Sequence, residues 1–103
     1  MIDASQIQAA VRALAHAANP ERILLFGSYA RGDADDESDL DLLVIESKVE
    51  GRAQEMIRLR RALRPLRIPA DVLVFSSDDV ARWGDQPGSV LYWALREGET
   101  VDG

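Results

Sequence analysis

The amino-acid sequence predicts one domain of the α/β or α+β class, built on a small mixed β-sheet flanked by helices. Short apolar runs alternate along the chain with longer segments in which apolar residues recur at helical spacing. The runs at residues 23–26 and 40–45 are apolar at nearly every position, which is typical of strands covered on both faces. The 103 residues contain neither internal repeats nor low-complexity tracts. That length suits one modest hydrophobic core, so we expect residues 1–103 to form a single domain.

The first half of the chain is predicted to fold as a helix, a strand, a turn and a second strand. The helix covers residues 4–18, and its apolar residues are spaced by four, three and four: Ile7, Val11, Leu14 and Ala18. Asp3 can cap this helix and Pro20 ends it. The strand over 23–26 then enters a tight glycine-serine turn that opens into a short helical turn, and residues 33–38 form a polar loop before the next strand.

The second half of the chain continues the alternation of helix and strand. A helix is predicted over residues 53–63 and a third strand over residues 70–75. One face of that helix is apolar: Met56, Leu59 and Leu63. Ser76, followed three residues later by Asp79, is a capping pattern that begins a short helix. The final helix, over residues 89–97, ends before a glycine at the usual stop position.

The charge is acidic overall and unevenly distributed. The formal net charge of −6 argues against a protein that coats nucleic acid by charge alone, and no basic helix-turn-helix pattern for sequence-specific DNA binding appears. Six acids lie within residues 33–41 and six arginines within residues 52–67. We expect the arginines to form a solvated helix face, with docking of an acidic partner as the alternative.

Residue types that are absent exclude several classes of site. The chain has no cysteine and a single histidine, His16, which excludes disulfides, thiolate-zinc sites and paired-histidine metal sites. No apolar run approaches the ~20 residues that a membrane-spanning helix needs, and no secretory signal is visible at the N-terminus. We therefore expect a soluble cytoplasmic protein.

The residues that can carry chemistry lie around the first two strands. Asp39 and Asp41 are two apart on a strand, so their side chains leave the same face with Cα atoms about 6.6 Å apart. Two carboxylates this close need a cation between them, and an oxygen-only donor set favours Mg²⁺ or Mn²⁺ over zinc. Gly27 lets a phosphate approach the backbone, and Ser28 adds a hydroxyl at the start of a helical turn whose dipole favours an anion. Together these features describe a site for a metal ion and a nucleoside triphosphate.

A third acid can join this pair. Asp71 begins a strand face on which Leu73 and Phe75 follow, and Asp41 begins the earlier strand with the same acid-apolar-apolar order. If the two strands are neighbours in register, Asp71 lies beside Asp41. Three carboxylates at one edge of a sheet suit two-metal phosphoryl transfer, with the third placed to activate the attacking hydroxyl.

The spacing of these residues resembles a known signature. Gly27-Ser28, ten further residues and then Asp39-Leu40-Asp41 resemble the GS…DxD pattern of the polymerase-beta-like nucleotidyltransferase superfamily. Residues 29–33 and 88–98 are similar to its minimal nucleotidyltransferase (MNT) branch, so the resemblance covers nearly the whole chain. It implies the polymerase-beta-like nucleotidyltransferase fold. It also implies site residues, which are Asp39, Asp41 and Asp71 for catalysis and metal binding, and Gly27, Ser28 and Arg31 for nucleotide binding.

The resemblance further implies an activity and a partner. MNT proteins are commonly antitoxins paired with a HEPN-domain ribonuclease toxin, and the family transfers AMP from ATP in a Mg²⁺-dependent reaction, in characterised branches onto a tyrosine of the toxin. We therefore expect an antitoxin with AMPylation activity that forms a hetero-oligomer with its toxin. Two alternatives stay open: an antitoxin that neutralises the toxin by binding alone, and a nucleotidyltransferase that acts on a small molecule.

Two groups of side chains keep a structural interpretation beside the functional one. Arg31 either contacts phosphate or ties down the acidic loop. Trp83, Tyr92 and Trp93 are expected in the core, with a surface closed by a partner as the alternative.

Overall fold

The computed structural model describes residues 1–101, which form a four-stranded sheet with helices on both faces. The helices are α1 (Ala4–Ala18), α2 (Ser28–Arg31), α3 (Arg52–Leu63), α4 (Ser77–Trp83) and α5 (Val90–Glu97), with a 3-10 turn at Arg64–Leu66. The strands are β1 (Arg22–Phe26), β2 (Leu40–Glu46), β3 (Ala70–Ser76) and β4 (Glu99–Val101). The elements predicted from the sequence are present, and their predicted bounds shift by at most one residue. In this described range no helix combines the length and the apolar character needed to cross a membrane.

Side-chain caps fix where the helices begin. The Asp3 carboxylate accepts a hydrogen bond from the Gln6 amide, and the Gln6 side chain accepts one from the Asp3 amide, which closes a capping box at α1. Ser76 and Asp79 form the same reciprocal pair at α4. Ser89 caps α5. Each cap satisfies amide groups that have no acceptor within the helix.

The sheet is mixed, and its strand order is β3-β2-β1-β4. Strand β1 pairs antiparallel with both β2 and β4, whereas β3 runs parallel to β2. The register places Phe26 of β1 and Asp71 of β3 on either side of Asp41 of β2. The end of β1 and the beginnings of β2 and β3 therefore meet at one end of the sheet.

Two hydrophobic layers cover the two faces of the sheet. On one face, Leu42 and Val44 of β2 belong to the cluster that packs against α1 and α3. On the other face, Leu43 belongs to the cluster that includes Leu91 of α5. Side chains alternate along a strand, so Asp41 leaves the sheet on the same side as Leu43 and lies half-buried at the end of the α5 layer.

Two features differ from the sequence-based expectations. The strand β4 pairs with β1 although its sequence, Glu-Thr-Val, contains no apolar run. The expectation that Trp83 and Trp93 lie in the core is wrong, because they are 47% and 53% exposed. Leu91 and Ala94 take the core positions of α5 instead, and the Trp93 indole donates a hydrogen bond to the carbonyl of Pro87 at the surface.

Candidate active site

A row of three side chains crosses the sheet where β1 ends and β2 and β3 begin. Phe26, Asp41 and Asp71 occupy directly neighbouring positions on these strands. Cross-strand neighbours share a face, so the row places two acidic residues side by side next to an aromatic one. The register suggested by the repeated acid-apolar-apolar order is therefore confirmed.

Gly27 lies directly against the carboxylate of Asp41. A Cβ atom at position 27 would collide with Oδ2 of Asp41 and would stand only 3.0 Å from its Cγ, so a side chain fits there only if Asp41 moves. The Gly27 backbone also has φ 73° and ψ −153°, a conformation that is essentially restricted to glycine. The sequence suggested that this glycine admits a phosphate. The structure adds that it makes room for a carboxylate.

The single-turn helix α2 follows Gly27 and begins at Ser28. The Gly27 carbonyl accepts a hydrogen bond from the Arg31 amide at 3.0 Å, which closes the turn. The first amides of such a turn have no acceptor within the helix, so together with the Ser28 hydroxyl they offer donors to an anion. The Tyr29 hydroxyl accepts a hydrogen bond from the Ile2 amide at 3.0 Å, which ties the turn to the N-terminal segment.

The carboxylates at this end of the sheet are crowded without forming a closed cage. The pKa of Asp41 is raised, mainly because burial disfavours the charged carboxylate. The charges of Asp71 and then Asp39 raise this pKa further, and the charge of Arg31 lowers it. Among the described residues, no three His, Cys, Asp or Glu side chains are grouped closely enough to surround a metal ion. Asp71 contacts Arg60 instead, with Nη2 3.4 Å from Oδ1. The site thus concentrates negative charge on oxygen donors that suit a hard divalent cation.

Arg31 links the acidic loop to the last helix. Its Nε lies 3.2 Å from Oδ2 of Asp33, and its Nη1 lies 3.4 Å from Oε2 of Glu97. These contacts are exposed and therefore contribute little to stability. Of the two roles that the sequence left open for Arg31, the tie to the acidic loop is observed, and contact with phosphate stays a prediction.

Comparison with known proteins agrees with this fold. Residues 8–101 match the family described as "Polymerase beta, Nucleotidyltransferase". The chain belongs to this family. The crystal structure of a candidate nucleotidyltransferase from Sulfolobus solfataricus matches 76% of this chain and 70% of its own, with a TM-score of 0.59 and 27% sequence identity.

Two proteins of Methanocaldococcus jannaschii, both described as candidate protein adenylyltransferases, match a shorter segment of this chain. MJ0141 is 64% identical and MJ0604 is 60% identical, each over 25 residues. Each match spans 24% of this chain and about a quarter (25%) of the relative's length. Together with the family match and the solved structure, these relatives support the assignment of this chain to the MNT branch of the polymerase-beta-like superfamily.

Arginines of α3 make contacts that sequence reasoning missed. The Nε of Arg52 donates a hydrogen bond to the Val74 carbonyl at 2.9 Å, and its guanidinium lies 4.1 Å from the centroid of the Phe75 ring. Arg52 thereby covers the outer edge of β3, which is an edge strand of the sheet formed by residues 1–101. Arg60 reaches Asp71 on the same strand. These arginines were expected on a solvated face, and no local pattern indicates their contacts because both partners come from a later strand.

Proposed function

We propose that this nucleotidyltransferase is the antitoxin of a HEPN-domain ribonuclease toxin and transfers AMP from ATP to a tyrosine of that toxin, in the cytoplasm and with Mg²⁺ or Mn²⁺. The observation that carries the proposal is the position of Asp41, whose carboxylate lies against Gly27 while Asp71 flanks it on the next strand. A turn with free amide donors is therefore in contact with a pair of acids. Phosphoryl-group transfer depends mainly on positioning and on neutralising phosphate charge, and this combination supplies both.

The residues at this site fit a divalent cation. Their donors are carboxylate oxygens, and the crowding that raises the pKa of Asp41 is the kind that a bound cation relieves. We assign Asp39 and Asp41 to hold the cation and Asp71 to complete its site. When bound, Mg²⁺ neutralises phosphate charge and polarises the phosphorus. Ser28 and the first amides of α2 bind the triphosphate, and Arg31 contributes its charge on the same side.

The proposed reaction is a substitution at the α-phosphorus of ATP. The tyrosine oxygen forms a bond to phosphorus while the bond to the bridging oxygen breaks, and pyrophosphate leaves. We assign Asp71 to accept the proton of the tyrosine hydroxyl, because its side chain is 57% exposed and can be reached by a protein segment. Asp41 is half-buried and lies against Gly27, which suits a fixed ligand better than a proton acceptor.

Exposed apolar residues are also consistent with a second candidate function, in which the antitoxin neutralises its toxin by binding alone. Trp83 at the end of α4, and Val90 and Trp93 of α5, are 47%, 51% and 53% exposed. Exposed apolar side chains in one region are typical of surfaces that contact another protein. Such a surface serves either candidate, so covalent modification of the partner is the property that separates them.

The test incubates the protein with ATP, Mg²⁺ and the HEPN protein encoded beside it. We expect adenylyl mass on a partner tyrosine by mass spectrometry, together with loss of ribonuclease activity. The variant Asp39→Asn with Asp41→Asn should add no mass. The matched control, Asp36→Asn with Glu37→Gln, removes two charges from the exposed acidic loop and should act as the wild type does. If the Asp39 and Asp41 variant neutralises the partner as well as the wild type, and no mass is added by either, the binding-only candidate replaces this proposal.

A further inference from the structure

Three arginines converge on a cavity beside the candidate active site. Arg60, Arg64 and Arg67 line a space of about 270 Å³ at the C-terminal end of α3. The remaining lining is apolar: Leu63, Ile68 and Ala70. Ala70 directly precedes Asp71, and Arg60 contacts Asp71 at 3.4 Å. Ala70 packs with the α1 and α3 layer and Asp71 leaves the opposite face of the sheet, so the cavity and the acidic row lie at the same end of β3 and Arg60 connects them.

The arginines of this cavity differ from others on α3 in what they contact. Arg58 holds both carboxylate oxygens of Glu55 at 2.7 and 2.8 Å and donates a further bond to the carbonyl of Ala17. By contrast, Arg64 and Arg67 make no ion pair or side-chain hydrogen bond within the described part of the chain. Two guanidinium groups in a shared cavity are thus free to bind an anion from outside.

Arg67 also has an unusual backbone. Its φ is 53° and its ψ is 38°, a left-handed conformation at the end of the 3-10 turn, where glycine or asparagine is the usual residue. An arginine is therefore less favourable here than glycine as far as the backbone is concerned. Strained positions of this kind are concentrated at functional sites. An arginine supplies a guanidinium group at this position, which the more favourable glycine would not.

The strand order places the cavity away from the region that we assign to the nucleotide. Gly27 and Ser28 follow β1, whereas Ala70 begins β3, and β2 lies between these two strands. If the triphosphate binds at the β1 side, the β3 side is left for the acceptor. We propose that the cavity of Arg60, Arg64 and Arg67 binds an acidic segment of the acceptor polypeptide close to the hydroxyl that receives AMP. This inference rests on the proposed function and adds to it a preference for an acidic acceptor sequence.

An acidic peptide suits this surface better than RNA does. The planar guanidinium group pairs with a carboxylate through two parallel hydrogen bonds, and the apolar floor can accommodate the methylene groups of a glutamate. An RNA strand would extend beyond the cavity, and the segment 33–41, which leads into β2, carries six acids. The net charge of −6 adds to the repulsion of a long polyanion.

The experiment measures peptide binding without ATP or metal, by NMR titration of the full ¹⁵N-labelled chain at low ionic strength. The probes are a hexaglutamate peptide, a hexaglutamine peptide and a uridine hexanucleotide. We expect hexaglutamate to shift amide signals within residues 64–70 and to bind roughly tenfold more weakly to Arg64→Gln with Arg67→Gln. The matched control, Arg12→Gln with Arg61→Gln, removes two exposed arginines elsewhere and should change the affinity by less than about twofold.

The outcomes separate this inference from the proposed function. Equal binding of hexaglutamate and hexaglutamine, or equal weakening by both arginine pairs, would overturn it. Tighter binding of the hexanucleotide at residues 64–70 would replace the acidic peptide with a nucleic acid. If the Arg64 and Arg67 variant does not fold, absence of wild-type signal shifts at 64–70 overturns the inference on its own. Because neither nucleotide nor Asp39 and Asp41 takes part, failure of AMP transfer would leave the peptide result unchanged.

Discussion

Replacing Gly27 with alanine tests the contact on which the candidate site depends. The new methyl group would occupy the space in which the Asp41 carboxylate lies, with Cγ only 3.0 Å away. Gly32 offers a matched control in the same segment, because its φ of 85° is also positive but nothing lies within 4 Å of an added Cβ. Gly32→Ala therefore carries backbone strain alone, whereas Gly27→Ala carries strain and a collision with a site residue.

The magnitudes follow from these two contributions. A left-handed alanine costs about 1–2 kcal/mol, which is the expected loss in the free energy of unfolding for Gly32→Ala. The conformation of Gly27 costs a non-glycine residue about 1–3 kcal/mol, and the displacement of Asp41 adds about 1–3 kcal/mol for the crowded packing. Gly27→Ala should therefore lose about 2–6 kcal/mol in total, measured by urea unfolding. A displacement of Asp41 by ~1 Å should also reduce turnover by about a hundredfold.

A second substitution separates the collision from the strain. In an Asp41→Ser background, the clash with Oδ2 is gone and the contact with Cβ at 3.2 Å remains, so Gly27→Ala should cost less than in the wild type, by up to about 3 kcal/mol. The same pair of substitutions at Gly32 and Asp41 should be additive. Binding of Mg²⁺ and ATP should raise the melting temperature of the wild type. The reasoning fails if Gly27→Ala loses no more stability than Gly32→Ala and its melting temperature rises with Mg²⁺ and ATP as much as that of the wild type.

Two further predictions concern pH and the division of roles within the site. Burial and the neighbouring Glu55 raise the pKa of Glu46 from 4.5 to about 7. Between pH 4.5 and about 7 the folded state therefore holds more protons than the unfolded state. The free energy of unfolding should fall as pH rises through this range. In urea unfolding at about pH 5 and pH 8, Glu46→Gln should remove most of that decline. Glu50→Gln, in the adjoining exposed loop, should retain it. A wild type with equal stability at both pH values would contradict the assignment. Asp71→Asn should preserve most of the rise in melting temperature that Mg²⁺ and ATP give but slow AMP transfer by roughly a hundredfold. Ser28→Ala should mainly weaken nucleotide binding. Wild-type turnover in Asp71→Asn would remove Asp71 from the mechanism.

The elements of the fold could be predicted because each rests on a local signal. Apolar runs covered on both faces marked β1, β2 and β3, and the Ser76 and Asp79 pair marked the start of α4. The pairing of Asp41 with Asp71 joins distant segments, yet it too was predictable. Both acids begin strands with the same order of apolar residues, and a period of two fixes which face each side chain leaves.

Contacts made by long polar or aromatic side chains could not be predicted in the same way. Arg52, Arg58 and Arg60 lie on one helix and share a residue type, but one covers a sheet edge, one pairs with an acid of its own helix, and one reaches Asp71. Which contact an arginine makes depends on how far the neighbouring strand lies from the helix. The exposure of Trp93 has a similar cause, because α5 covers the sheet with only one face and Leu91 already occupies it.

The mixed topology of the sheet explains why so short a chain can assemble this site. Because β1 and β2 are antiparallel, the end of β1 lies beside the beginning of β2, and Gly27 meets Asp41 across a connection of 13 residues (27–39) between the strands. Because β3 is parallel to β2, its beginning returns to the same end of the sheet, and the crossover through α3 supplies the arginines near Asp71. In a sheet with β1 parallel to β2, the turn after β1 would lie at the opposite end from Asp41. The antiparallel pair therefore brings the turn that we assign to phosphate binding to the carboxylates. The parallel pair brings the beginning of β3, where we place the acceptor, to the same end of the sheet.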